Sequence, residues 1–447
     1  MLDWTRDHGG IVGPGRGSAV GSVVNYCLDI TDIEPLKYGL LFERFLNPER
    51  IQLPDIDTDF DSKGLDAVTS HLAMKYGREK VSHVISFGEL DAKRAFELTA
   101  WAYGVPPGKA ARITEKLGWR SLEIELKHNH ALEHEYKIGT PRMQEAYQTA
   151  MILEGVFYKK GVHACANLVS AFPLEDCLPM IPYHLSYLSK KGSTIVPISQ
   201  YTVRWVEDAG VLKIDNLGLL TLDEIRETKA AVEKRYGIHL DLNSIPLDDE
   251  GTLKIYQNGD TEKIFQFDYD GMRDWLSRLH PDSFDQLVAM EALYQPGTME
   301  NLPEYVYYKN SADIRKYSSP ELVPILKETY GILLYQEQAM LMLQKYGGFT
   351  PGQAAKAGRF LGAHESVKYD QFCAYMDAFM YGGRKLGYSE ETLEDIWKQL
   401  DIEGRYAAIK SHAVAYTWLS YQTAWLKAHY REEFEAAVEK VWSRFNS

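Results

Sequence analysis

The sequence predicts an α/β layer that is interrupted by a helical insertion and followed by a mainly helical region. Three observations carry this reading. Strand-like text occurs twice, in the alternating run RIQLPDIDTDFD over residues 50–61 and again over residues 163–220. Between them, from about residue 65 to 158, the apolar spacing is helical. Beyond about residue 240 the text is again helical, punctuated by Pro and Gly. At roughly 100–200 residues per domain, 447 residues hold about two to four domains. Hydrophobic residues at 45% and charged residues at 25% are ordinary globular usage, which excludes a disordered, collagen-like or coiled-coil chain.

No stretch approaches the roughly 18 apolar residues of a membrane span, and MLDWTRDHGG lacks the layout of a signal peptide. A cytoplasmic protein is expected. Cys27, Cys165, Cys177 and Cys373 form no CxxC pair, so they read as reduced, mostly buried thiols rather than a zinc ribbon or a disulfide framework. The balance of 49 basic against 63 acidic residues, a formal charge of −14, argues against a protein that coats nucleic acid with its whole surface. It leaves room for a local basic groove in which bound Mg²⁺ offsets the carboxylates.

Taken in order, the first element is the glycine-rich loop Gly13-Pro14-Gly15-Arg16-Gly17-Ser18-Ala19-Val20-Gly21-Ser22. It has no Gly-Lys-Ser/Thr ending, and Val20 fills the third glycine position of a dinucleotide fingerprint begun at Gly15, so both of those assignments fail. What remains is a backbone able to approach phosphates closely, with the Ser18 hydroxyl alongside and a helix expected to follow. A flexible surface loop is the alternative.

Next comes the strand entered through Pro54. In a strand, Asp55, Asp57 and Asp59 share one face at about 6–7 Å spacing. Like charges so placed call for cations, and two Mg²⁺ ions about 3.5–4 Å apart suit such carboxylates. A calcium loop begun at Asp55 would put Phe60 where glycine is required, although Asp66 would be tolerable at its end. One begun at Asp57 would put Ser62 and Val68 at the two key positions. A solvated acidic edge is the remaining alternative.

The helical text AVTSHLAMKYG, AKRAFELTAWAYG, PGKAARITEKLG and PRMQEAYQTAMILEGVFY then reads as an inserted domain. NLVSAFPL, STIVPISQYTVRWV and VLKIDNLG resume the α/β layer, and the helix LDEIRETKAAVEKRYG follows. Asp215 ends a short strand with Lys213 on the same face, and it completes a carboxylate site only if the helical segment is an insertion between strands of one sheet. His128, His130 and His134 include an i,i+4 pair but lack an HExxH frame, so a solvated helix is preferred to a zinc site. The aromatics of YTWLSYQTAWLKAHY read as the core face of an amphipathic helix rather than a base-stacking platform.

GPGRGSAVGS, LLFERFLNPER, LPDIDTDFD, LKIDNLGLLTL, YGILLYQEQAM and KSHAVAYTWLSYQTAWLKAHY, in that order and across residues 4–436, resemble the catalytic core of bacterial C-family replicative DNA polymerases, the DNA polymerase III alpha subunits. The resemblance implies an α/β palm of the polymerase-beta-like nucleotidyltransferase type at residues 1–64 and 160–222. It implies an inserted helical thumb at 65–159 and mainly helical fingers at 223–447. It implies a DNA-directed DNA polymerase with two Mg²⁺ ions held by Asp55, Asp57 and Asp215 as catalytic metal ligands, Asp59 being similar to a nearby acid outside that set. Gly17, Ser18, Arg44, Lys213, Arg359, Lys410 and His412 resemble the family's nucleotide contacts. Primer–template DNA, dNTPs and a sliding clamp or other replisome subunit supplied in trans are the implied partners.

The departures from the pattern are specific. Gly358-Arg359 stands where the family has two arginines, and Lys356 one turn earlier is the candidate replacement. HAGG appears as His163-Ala164-Cys165-Ala166, RPG as Gln295-Pro296-Gly297, and Glu97 and Trp101 stand where arginines are expected. The family's N-terminal histidine-rich metal-binding domain and its C-terminal clamp and single-strand modules have no counterpart in these motifs, so a minimal version, a trimmed chain and one piece of a split enzyme all stay open. A weakly active DNA- or replisome-binding module and a template-independent nucleotidyltransferase are the competing functions.

Overall fold

A computed structural model describes residues 1–49, 54–118, 120–185, 194–206, 208–313, 315–363 and 368–445. The chain divides into two compact units, one of residues 1–72 with 214–447 and one of residues 73–213. The strands are β1 (Asp57–Phe60), β2 (Val81–Glu89), β3 (Phe157–Val169), β4 (Met180–Leu185), β5 (Thr194–Ser199) and β6 (Leu212–Gly218).

In the first unit β1 and β6 pair in parallel, with Asp57 opposite Asp215, Thr58 opposite Asn216 and Phe60 opposite Gly218. The expected strand is shorter than its alternating text: Pro54, Asp55 and Ile56 are irregular, and residues 50–53 of that run lie outside the described residues. Register is locked on the face away from the carboxylates, where the Thr58 hydroxyl donates to Asn216 Oδ1 at 2.9 Å and both residues are buried.

The strand's exit is held by Asp61, which is fully buried. Its Oδ1 accepts from the backbone N–H groups of Ile11 (3.0 Å) and Gly64 (2.9 Å), and its other oxygen meets Arg226. Arg226 also pairs with Asp223 at 2.7 Å, and Asp223 takes the N–H and hydroxyl of Ser62 at the start of the next helix. The helix Leu220–Tyr236, which ends at Gly237 with φ +67°, is thereby tied to the end of β1.

The core of this unit surrounds the helix Lys410–His429. That helix differs from its expected amphipathic form, because apolar and small polar residues cover its whole circumference: Trp418, Tyr421 and Ala424 are buried, and so are Ser420 and Thr423. Tyr430 ends it, and a second helix runs over Arg431–Phe445. A second core gathers Leu343, Phe379, Ile396 and Trp397.

In the second unit β2 pairs antiparallel with β3 and parallel with β5, and β5 pairs antiparallel with β4. The segment expected to be wholly helical therefore contains a strand. VSHVISFGE is rich in β-branched residues, and Val81, Val84 and Ile85 are buried, so both faces are covered. The helices Ala92–Ala102 and Pro141–Leu153 pack around Phe96 and Tyr147, with ring centroids 4.5 Å apart. His130 and His134 lie on a short helix capped by Asn129, and the exposed His130 faces Glu133.

The cysteines depart from expectation. All four are free, but Cys27 and Cys177 are exposed and Cys165 and Cys373 are half-buried. Cys27 closes a five-residue helix and Cys177 follows a single 3₁₀ turn, neither long enough to bury that position. No helix among the described residues is long and apolar enough to cross a membrane.

Candidate active site

The parallel register sets Asp57 and Asp215 side by side, and the chain just before β1 brings Asp55 to them. One carboxylate oxygen from each of the three lies within 4.8 Å of the others, with Asp55 exposed and Asp57 and Asp215 half-buried. Three hard anionic oxygens converging on one point are a donor set suited to a hard divalent cation. They are the one such group of metal-ligating side chains among the described residues.

Asp59, on the same strand, behaves differently. It is fully buried, and the Tyr416 hydroxyl donates to its Oδ2 at 3.5 Å. Burial pushes its carboxyl up to about 6, Arg16 opposes that shift, and the neighbouring Asp57 adds to it. Arg16 lies 3.4 Å from Asp59 and 3.5 Å from Asp57, linking the buried acid to the exposed site. The sequence reading gave Arg16 no role. Its placement as the one cation of the loop, between Gly15 and Gly17, was the available signal.

The glycine loop is fastened at both ends. Gly13 N–H donates to the Asp59 carbonyl (2.8 Å), Asp32 N–H donates to the Pro14 carbonyl (3.0 Å), and Val20 is fully buried. Gly17 adopts φ +65°, and a Cβ there would stand 3.6 Å from Asp57 Oδ2, so backbone alone faces the carboxylate. A 3₁₀ turn, Gly17–Gly21, comes before the expected helix, which is short: Ser22 caps Val23–Cys27.

Two adjacent residues at the start of the buried helix grip Gly17. Ser411 Oγ donates to its carbonyl at 2.9 Å, and its N–H donates to His412 Nδ1 at 3.3 Å. An accepting Nδ1 assigns the proton of the neutral imidazole to Nε2. Burial and the nearby Arg16 hold the His412 imidazole down at about 4, so it is neutral at pH 7. Buried Glu337 accepts from the N–H groups of Lys410 (2.9 Å) and Ser411 (3.3 Å), satisfying the open end of this helix.

The remaining expected contacts are distributed more widely. Lys410 Nζ bonds Glu328 at 2.7 Å and lies over the Tyr335 ring. Arg44 donates to Gln336 Oε1 at 2.8 Å, and Gln336 donates to the Ala407 carbonyl at 3.0 Å. Lys213 stands two residues before Asp215 on β6. Arg359 is exposed in the turn Gly358–Phe360, just beyond Lys356 in the last turn of Pro351–Ala357. Ser18 is half-buried in the loop's 3₁₀ turn.

Comparison with known proteins defines the class. Residues 1–218 match the family described as the bacterial DNA polymerase III alpha NTPase domain, and residues 221–380 match the bacterial DNA polymerase III alpha subunit finger domain. The DNA polymerase III subunit alpha of Aquifex aeolicus (strain VF5) is 36% identical over 463 residues, covering 98% of this chain and 39% of that protein. That of Thermus aquaticus is 36% identical over 450 residues, covering 98% and 36%. That of Bacillus subtilis (strain 168) is 36% identical over 433 residues, covering 96% and 38%. The chain belongs to the bacterial DNA polymerase III alpha subunit family, and it spans 36–39% of the length of these curated relatives.

Proposed function

We propose that this chain is a DNA-directed DNA polymerase that adds dNTPs to a primer 3′-hydroxyl, with two Mg²⁺ ions held by Asp55, Asp57 and Asp215. The convergence of those three carboxylates within 4.8 Å supports it most directly. Mg²⁺ fits the donor set: all three ligands are hard oxygens, and the neighbouring Gly17 presents no side chain to crowd them. When bound, the ions would lower the pKa of the 3′-hydroxyl and offset charge on the α-phosphate and the leaving pyrophosphate.

The chain's own residues would hold the nucleotide. The Gly17 backbone lies beside Asp57, and it and the adjacent Ser18 hydroxyl would suit phosphate oxygens. Arg44, Lys213, Arg359 and Lys410 would supply cationic contacts to the triphosphate, Lys410 after leaving Glu328. His412, neutral, would orient the loop beside the incoming nucleotide. Arg16 would keep Asp57 aimed at Asp215. In domain terms the reading assigns a palm to residues 1–64 and 160–222, a thumb to 65–159 and fingers to 223–447. Primer–template DNA and dNTPs are its substrates, and a sliding clamp or other replisome subunit acts in trans.

Primer extension by this chain with each dNTP omitted in turn, with and without Mg²⁺, tests the proposal. Extension that stops at the template position calling for the omitted nucleotide, and only with Mg²⁺ present, is the expected result. Addition that ignores the template would identify a template-independent nucleotidyltransferase. DNA binding without addition would identify a binding module.

A further inference from the structure

The helix Phe284–Leu293 carries a carboxylate that its surroundings leave unpaired. Glu291 is 4% exposed, and among the described residues no hydrogen bond or ion pair reaches it. It lines a cavity of about 190 Å³ together with Gln266, Tyr269, Met272, Tyr294 and Gln295. Met272 is buried at 2% and Tyr269 is 58% exposed, so the cavity runs inward from an open tyrosine. The Tyr269 and Tyr294 rings lie stacked, with centroids 6.3 Å apart and 21° between planes. The Tyr294 hydroxyl lies against Gly271 so closely that a side chain there would collide with it.

An isolated buried carboxyl is costly, and burial alone pushes Glu291 up to about 7. A cation entering from the mouth would give it a partner. The walls favour one kind of cation: aromatic faces stack a planar guanidinium, and its five N–H donors exceed what one carboxylate accepts. Gln266 and Gln295, which also line the cavity, carry amide oxygens able to accept the rest. A compact ammonium has three donors and is more strongly hydrated.

We propose that this cavity is a binding site for a guanidinium group on an alkyl arm, with Glu291 as its anion, Tyr269 and Tyr294 as its stacking wall, and Gln266 and Gln295 as secondary acceptors. The site lies apart from the aspartate triad in function and does not depend on polymerase activity. Position 295 also offers an internal version of the ligand. An arginine in place of Gln295, which lines the cavity, would bring a guanidinium to it from within the chain.

Thermal melting and titration calorimetry of the full chain test this with agmatine, the diamine cadaverine, a blocked Gly-Arg-Gly peptide, and sodium chloride at matched ionic strength. Agmatine or the peptide is expected to raise Tm, and its affinity is expected to fall by about tenfold or more in Glu291→Gln, the loss of a charge-assisted pair. Gln295→Arg is expected to raise Tm without ligand and to abolish the response. Agmatine acting alone identifies a free guanidinium compound as the source, and the peptide acting alone identifies an arginine of a polypeptide. A response to neither probe, one that persists in Glu291→Gln, or one matched by sodium chloride overturns the proposal. An equal response to cadaverine overturns the guanidinium assignment.

Discussion

Asp57 is where the local demands meet: it faces Asp215 across the strand pair, lies 3.5 Å from Arg16 and abuts the Gly17 backbone. Asp57→Asn removes one negative charge from the proposed metal site with almost no change in size. It is expected to cut primer extension by about two orders of magnitude or more, since even outer-shell changes at metal sites cost 10–100-fold. Circular dichroism should be unchanged, and millimolar Mg²⁺ should raise the Tm of the wild type but not of the variant. Near-normal extension by Asp57→Asn would remove the metal assignment. Glu291 makes a prediction of the opposite kind. Its carboxyl is raised from 4.5 to about 7 in the folded chain, so between those values the unfolded chain has released a proton that the folded chain keeps. Stability is therefore lost as pH rises through that window, by up to about 1.4 kcal/mol per pH unit. Glu291→Leu should gain stability over wild type as pH goes from 4.5 to 7, read by denaturant titration, and a flat difference would contradict a buried, unpaired carboxyl.

Between elements, the Asp61–Arg226–Asp223 cluster fixes the end of β1 to two helices. Asp61→Ala leaves a half-buried guanidinium without that anion and two backbone N–H groups without their acceptor. A loss of about 3 kcal/mol is expected, measured by denaturant unfolding. The turn after Pro351–Ala357 tests another link. Arg359→Ala should raise the KM for dNTP about tenfold for one lost charge-assisted contact. Lys356→Ala should raise it measurably if that lysine stands in for a second arginine, and unchanged dNTP kinetics would rule the replacement out. Asp57 was legible as a strand acid, but the strand argument also put Asp55 and Asp59 on its face, whereas Asp55 precedes β1 and Asp59 is buried outside the triad. Asp215, expected at a strand end, lies in the middle of Leu212–Gly218, and it was the resemblance that joined the three. The helix Leu220–Tyr236 was legible from its periodicity and its closing glycine. β2 was not, because its first five residues, Val81–Ile85, are covered on both faces and carry no alternation to separate them from neighbouring helical text. Asp61 and Arg226 escaped notice for a related reason: a buried ion pair joins positions 165 apart, and no local pattern signals it. The hydrogen bond from Arg44 to Gln336 joins positions 292 apart and had no local signal either.

For the molecule as a whole, charge sets the expected grip on DNA. The formal charge is −14, and on the helix Ala92–Ala102 Arg94 is already paired with Glu97 at 2.9 Å while Trp101 is 81% exposed. Few cations on that helix remain for a phosphate backbone. The chain is expected to synthesise distributively, with log affinity falling against log salt at a slope shallower than about −5, equivalent to fewer than about six neutralised phosphates. Extension of a long primed template under an enzyme trap, at several salt concentrations, measures this. Products of hundreds of nucleotides from the chain alone, or a steeper slope, would reveal a phosphate track elsewhere on the surface.

The double grip of Ser411 and His412 on Gly17 has a consequence for birth rather than for catalysis. The two halves of that clamp are 394 residues apart, so the loop emerges from the ribosome long before the helix that fastens it. At about 5–20 residues per second, the interval is roughly 20–80 s. Throughout it the N-terminal segment carries Asp55 and Asp57 beside an unfastened glycine loop, and Asp215 arrives only midway. A nascent or prematurely terminated chain lacking the Lys410–His429 helix would thus own all three acids and still lack the clamp on Gly17, which makes synthesis of that helix the step that arms the site.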